Sequence, residues 1–249
     1  MKSNLKATLK KYAPNFINRF ANRLNMYPDF TPAEGKINWG DFKSVKPFSN
    51  YFGFDRGGPI DRYYIENFLE AEKGIIKGNV LEIANNAYTL KYGGDKVTKS
   101  DVLHVHEGTI GATYIADLSK ADHLPSTHFD CIILTQTLQY IYDYTSALKH
   151  CYRMLKKGGT LLMTVPGISP IERGDWHKSW LWSFNETLIN KIFTELFPSE
   201  NFKIQGYGNV YAAMSFLHGI GLVEADQAKL DIRDTSYDIV ISVRLNKNS

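Results

Sequence analysis

Several polar side chains of this 249-residue sequence stand just past short apolar runs, where they could do chemistry. Glu82 closes GNVLEI, Glu107 follows VLHVH, Asp117 follows ATYIA, and Thr135 and Gln136 follow CIIL. In an open α/β sheet, ligands collect outside the carboxyl ends of the strands, and these runs read as such strands. A single carboxylate can accept hydrogen bonds from both vicinal hydroxyls of a ribose, and Glu107 is the candidate for that task. A second group follows Pro166, where Asp175 and His177 lie among Trp176, Trp180 and Trp182. Imidazole is a general base suited to neutral pH, so His177, oriented by Asp175, is the candidate base for a hydroxyl acceptor, with His106 second. The indoles suit stacking on a sugar face or another flat acceptor. His104 and His106 share one strand face, but two histidines without a third ligand make no metal site, and no metal is expected.

These residues need a scaffold, and the stretch from Phe129 to Gly167 supplies its clearest unit. Cys131–Thr135 is apolar without alternation, as a strand covered on both faces would be. Asp143 can cap a helix whose apolar face carries Ile141, Tyr144, Leu148, Cys151 and Leu155, closing at Lys156-Lys157-Gly158-Gly159. Thr160–Val165 is the next buried strand. Upstream, Asp55-Arg56-Gly57-Gly58-Pro59 reads as a tight turn, with Asp61 capping a helix whose apolar side is Tyr64, Ile65, Phe68 and Leu69. Gly78–Ile83, Asp101–His106 and Ala112–Leu118 read as strands one to three. A helix over 186–197, a strand over 202–207, a short helix over 210–217 and a last strand over 237–245 complete the chain.

FDCIILTQTLQYIYD followed by RMLKKGGTLLMTVPG resembles the second half of the core of class I S-adenosylmethionine-dependent methyltransferases. More narrowly, the chain resembles a bacterial branch of small methyltransferases associated with glycosyltransferases and surface-polysaccharide assembly. The resemblance implies an α/β, Rossmann-like fold: a mostly parallel seven-stranded sheet with helices on both faces, here with an N-terminal helical extension. It also implies S-adenosyl-L-methionine as cofactor and methyl transfer, with O-methylation of a sugar or glycan-type acceptor as the expected reaction. The alternative is a catalytically inactive binding or scaffold protein on the same fold. The DRG and PIDRYY pattern resembles a segment that precedes the family's core, so residues 59–73 are expected to form a lid helix, with Arg56, Arg62 and Tyr63 meeting the methionine carboxylate or the substrate. In the family, glycines occupy three alternate positions after the first strand; here these are Ala84, Asn86 and Tyr88. The loop of Ala84, Asn85 and Asn86 is expected to approach the cofactor, Ala84 as the smallest substitute and Asn86 as a residue that tolerates left-handed backbone. Glu82 matches the acid that orients the methionine end, Asp117 the acid that accepts from the adenine amino group, and Leu118 the residue whose backbone helps read the ring. Thr135 and Gln136 are expected to line the pocket. No G-x-G-x-x-G follows the first strand, which argues against a nicotinamide-dependent oxidoreductase.

Composition agrees with a folded chain: 43% hydrophobic and 13% aromatic residues, enough to bury a sizeable core. No window is long and apolar enough for a membrane span and no secretory pattern opens the chain, so the cytoplasm is the expected compartment. Cys131 and Cys151 read as core residues. Residues 1–28 carry six cations and no acid, which leaves the rest at −3 within a total of +3. The core is therefore not built for nucleic acid. Residues 1–50 read as a basic helical arm with its connection, and residues 51–249 as the methyltransferase-like domain. Leu5, Leu9, Tyr12, Phe16, Phe20 and Leu24 recur at helical spacing, giving two amphipathic helices, the second started at Pro14. The arm reads first as an extension packed on the core, and second as a contact for an anionic membrane surface or a protein partner.

Overall fold

The structure is a computed structural model, and it describes residues 13–24, 26 and 30–248. It divides into two compact units, residues 1–45 and 46–249. In the first, helix α1 (Asn15–Arg23) starts directly after Pro14. The earlier helix expected over Leu5–Tyr12 lies outside the described residues.

The second unit is built on one seven-stranded sheet. Its strands are β1 (Gly78–Ile83), β2 (Val97–His104), β3 (Tyr114–Ile115), β4 (Phe129–Thr135), β5 (Leu155–Pro166), β6 (Asn201–Tyr207) and β7 (Val240–Asn246). Their order is β3-β2-β1-β4-β5-β7-β6. β3 to β5 are parallel, while β7 runs antiparallel to both β5 and β6. The unbroken apolar runs now have a physical reason, because successive side chains point to opposite faces and both faces are covered. Leu81, Ile132, Leu134, Leu161 and Met163 join the layer formed with helices α3 (Tyr144–Met154) and α4 (Glu186–Leu196). Val80, Cys131, Ile133 and Leu162 join the opposite layer, with α2 (Ile60–Ala71) and α5 (Val210–His218). A short α6 (Gln227–Leu230) adds Leu230 to that second layer.

Three local expectations are corrected. Asp61 does not cap α2: the helix begins after Pro59, and Asp61 sits within its first turn. Helix α3 ends at Met154, and Lys156–Gly159 belong to an excursion at the start of β5, where Gly158 takes φ +78°. β3 shrinks to two residues because only Tyr114 and Ile115 pair with β2. The Asp143 cap forms as expected, its Oδ1 accepting from the Ser146 N–H at 2.9 Å, and Asn185 Oδ1 accepts from the Leu188 N–H at 2.8 Å to start α4.

Candidate active site

Strand order reverses between β1 and β4, and there the carboxyl ends of the strands open a cleft of about 1270 Å³. The loop after β1 forms its first wall. Ala84 occupies the left-handed region at φ +75°, a conformation that glycine adopts freely and alanine does not. The backbone therefore turns as a glycine loop would, although no glycine is present. Beneath it Glu82, 2% exposed, anchors the next turn. Its Oε2 accepts from the Thr89 N–H and the Thr89 hydroxyl, both at 2.7 Å, and its Oε1 accepts from the Tyr88 N–H at 3.2 Å. Burial raises the Glu82 carboxyl above its ordinary value, against the opposing pull of these donors.

At the end of β2, His104 reaches the cleft with its ring fixed by the backbone. The His106 N–H donates to His104 Nδ1 at 3.0 Å, and the Thr109 hydroxyl lies 3.0 Å from the same nitrogen. Beyond β3, Asp117 Oδ1 accepts from the Ser119 N–H at 2.9 Å and from its hydroxyl at 2.7 Å, which tightens the turn that carries Leu118, buried at 3% exposure. Asp117 and Leu118 both face the cleft. Past β4, Thr135 and Gln136 line the floor, and Gln136 takes φ +46° while its N–H donates to Thr164 O at 2.9 Å.

Helix α2 supplies the opposite wall. Tyr64, Ile65, Phe68 and Leu69 bury one side of it, and Arg62 and Tyr63 face the cleft from the other. Arg62 Nη1 donates to Tyr88 Oη at 3.2 Å, tying the helix to the loop after β1. The Tyr63 hydroxyl donates to Asp231 Oδ1 at 2.6 Å. The Trp176 ring completes the rim, its centroid 5.2 Å from that of His106 and 5.4 Å from that of Tyr140.

Of the residues singled out in sequence, Tyr63, Glu82, Ala84, Asn85, Asp117, Leu118, Thr135 and Gln136 line this cleft. Five others do not. Arg56 forms a bidentate ion pair with Glu224, its Nε donating at 2.9 Å, and is held away from the cleft. The Asn86 side chain turns to Ser100 Oγ at 3.2 Å, and the left-handed position falls to Ala84 instead. Glu107 lies on the exposed turn after β2, because the strand stops at His104 and the chain reverses through Gly108 at φ +75°. His177 and Asp175 are exposed, and His177 Nδ1 meets the carbonyl of Glu172 at 2.9 Å within its own loop. The sequence reading passed over Tyr140 as a wall and gave His104 no ligand contact; for His104 the signal was its place at the carboxyl end of β2, while Tyr140 lies in the short turn Leu138–Tyr140 after β4.

The cleft suits an adenosyl sulfonium. It offers apolar side chains at Ile83, Leu103 and Leu118 for a flat base, and an amide, Gln136 Nε2, that is buried without a partner among the described residues. The left-handed turn at Ala84 leaves backbone groups close to the opening. Comparisons with known proteins agree with this geometry. Residues 45–207 match the family described as "Methyltransferase domain". The ubiquinone/menaquinone biosynthesis C-methyltransferase UbiE of Vibrio cholerae is 31% identical over 101 residues, 39% of this chain and 36% of that protein. A probable S-adenosylmethionine-dependent methyltransferase of Mycolicibacterium smegmatis is 26% identical over 104 residues, 41% of this chain and 37% of that protein. The chain thus spans about a third of the length of the curated relatives it matches. Among solved structures, the N-methyltransferase NodS of Bradyrhizobium japonicum, crystallised with S-adenosyl-L-homocysteine, superposes with a TM-score of 0.50 at 15% identity, covering 78% of this chain and 90% of that one. A SAM-dependent methyltransferase of Archaeoglobus fulgidus gives 0.50 at 11%, covering 75% and 94%. With the sheet order, the cleft and the matched family in agreement, the chain belongs to the class I S-adenosylmethionine-dependent methyltransferases.

Proposed function

We propose that this protein transfers a methyl group from S-adenosyl-L-methionine to a hydroxyl of a sugar or glycan-type acceptor. The observation that carries this reading is the cluster of rings at the cleft rim, where Trp176 stands between His106 and Tyr140. When bound, the cofactor supplies a methyl group already attached to a good leaving group. The protein's task is then to align the acceptor and exclude water. Asp117 and Leu118 hold the adenine end, and the Glu82-anchored loop with Asn85 and Tyr63 meets the methionine end. Tyr140 and Trp176 present ring faces to the acceptor, and the His106 imidazole accepts the hydroxyl proton as methyl transfer proceeds.

The quinone specificity in the names of the curated relatives, of which this chain spans about a third, is not carried over.

Thermal unfolding with S-adenosylmethionine, S-adenosylhomocysteine and a nicotinamide dinucleotide tests the cofactor half. Both sulfur compounds raise the midpoint and the dinucleotide does not. An unmoved midpoint with a cooperative transition would put the inactive scaffold ahead of the enzyme. Transfer of labelled methyl to a panel of sugars and to a quinol tests the acceptor half. His106→Ala lowers turnover at least about a hundredfold, the usual scale of a general base, while His177→Ala does not. The opposite result would return the base to His177.

A further inference from the structure

Helix α1 is turned inside out relative to the usual soluble pattern. Phe16, Phe20 and Leu24, one turn apart along a single stripe, are 72%, 63% and 55% exposed, and Met26 just beyond is 71% exposed. Asn18, a polar residue of the same helix, is 7% exposed, its amide donating to the Ala13 carbonyl at 3.2 Å. An ordinary surface helix hides its phenylalanines and presents its asparagines to water. Phe16, Phe20 and Leu24 thus form an exposed apolar stripe along the helix. The sequence that carries it is basic: residues 1–28 hold six lysines and arginines and no acid, while the remainder of the chain is net −3.

We propose that this arm binds an anionic lipid surface, with α1 lying in the interface and Phe16, Phe20 and Leu24 inserted among the acyl chains. Charge complementarity selects the occupant. Cations near an anionic leaflet attract the arm to it, and the inserted rings add apolar transfer that a purely electrostatic contact lacks. Arg19, on the same helix, donates from its guanidinium to the Lys36 carbonyl. No helix among the described residues is long and apolar enough to cross a membrane, so the contact lies along the surface. It brings the enzyme to acceptors displayed at that surface.

The test is co-sedimentation of the full chain with vesicles of phosphatidylcholine alone and of phosphatidylcholine mixed equally with phosphatidylglycerol. Binding is at least about tenfold stronger to the anionic vesicles and weakens as salt rises. A Phe16→Ser, Phe20→Ser double variant, with its unfolding midpoint unchanged because both sites are exposed, binds at least about tenfold more weakly. Equal binding to both vesicle types, or full binding by the double variant, overturns the proposal. So does concentration-dependent self-association in the absence of lipid that the double variant abolishes, since the stripe would then be an interface between copies of this chain.

Discussion

Ala84 and Glu82 together make the loop after β1 work without glycine. A left-handed conformation costs a side chain with a Cβ about 1–2 kcal/mol, and Ala84 carries that strain at φ +75°. Replacing it with glycine removes the strain but gives the unfolded chain back about 0.4–1 kcal/mol of backbone freedom. Ala84→Gly is therefore expected to stabilise the protein by up to about 1.6 kcal/mol, measured by urea unfolding, whereas Ala84→Val destabilises it. A destabilised glycine variant would mean that something other than backbone conformation holds the loop. Glu82 explains why the turn persists, since three hydrogen bonds converge on its carboxylate. Burial raises this carboxyl above its ordinary value of 4.5, so the folded protein keeps the proton over a range just above that value where the unfolded chain has lost it. Stability from this group is present below 4.5 and is lost as pH rises through the folded value. Midpoints measured upward from pH 4.5 are expected to fall for the native protein relative to Glu82→Gln. Parallel curves would remove Glu82 as the titrating group.

At the level of elements, the loops over the second sheet face are held by side chains that cap and bridge at once. Asn209, 7% exposed, accepts the Ala212 N–H at 3.0 Å to start α5. Its amide donates to the carbonyls of Lys229 at 2.7 Å and Ile232 at 2.5 Å, fixing α6 and the turn after it. Asn209→Ala removes a cap and strands two carbonyls, an expected loss of about 2–4 kcal/mol, against about 1 kcal/mol for the exposed cap at Asn185. Urea midpoints of the two variants compare these directly, and equal losses would mean that the bridges contribute nothing. Elements of this kind mark the limit of what the sequence discloses. The central strands were legible because unbroken apolar runs such as Cys131–Leu134 fit only a doubly covered sheet. The caps at Asp143 and Asn185 were legible because capping is local. Asn209 was not, because its partners lie 20 and 23 residues away. The site divides along the same line. Thr135 is the last residue of β4 and Asp117 stands two residues past β3, and both face the cleft. Glu107 and Asn86 lie outside the cleft lining, because β2 ends at His104, two residues before the expected end, and the left-handed turn falls at Ala84. Arg56 was drawn off by Glu224, 168 residues distant, which no local pattern announces.

The whole second unit is expected to unfold as one body, and its two cysteines can report this. Cys131 lies in β4 within the layer shared with α2 and α5, and Cys151 lies on α3 in the opposite layer; both are fully buried. A thiol reagent attacks the thiolate, and burial pushes the Cys151 thiol up to about 12 and raises Cys131 as well. Neither reacts until the sheet opens, so under fast reclosing the labelling rate measures the open population. S-adenosylhomocysteine at roughly a hundred times its dissociation constant adds about 2.7 kcal/mol to the folded state. It is therefore expected to slow labelling about a hundredfold at both cysteines, although neither lines the cleft. Equal slowing would mean that both layers and the cofactor cleft share one cooperative transition, as a sheet common to both layers requires. If Cys131 were protected and Cys151 were not, α3 would open independently of the cleft, together with the layer that carries Tyr144 and Phe184.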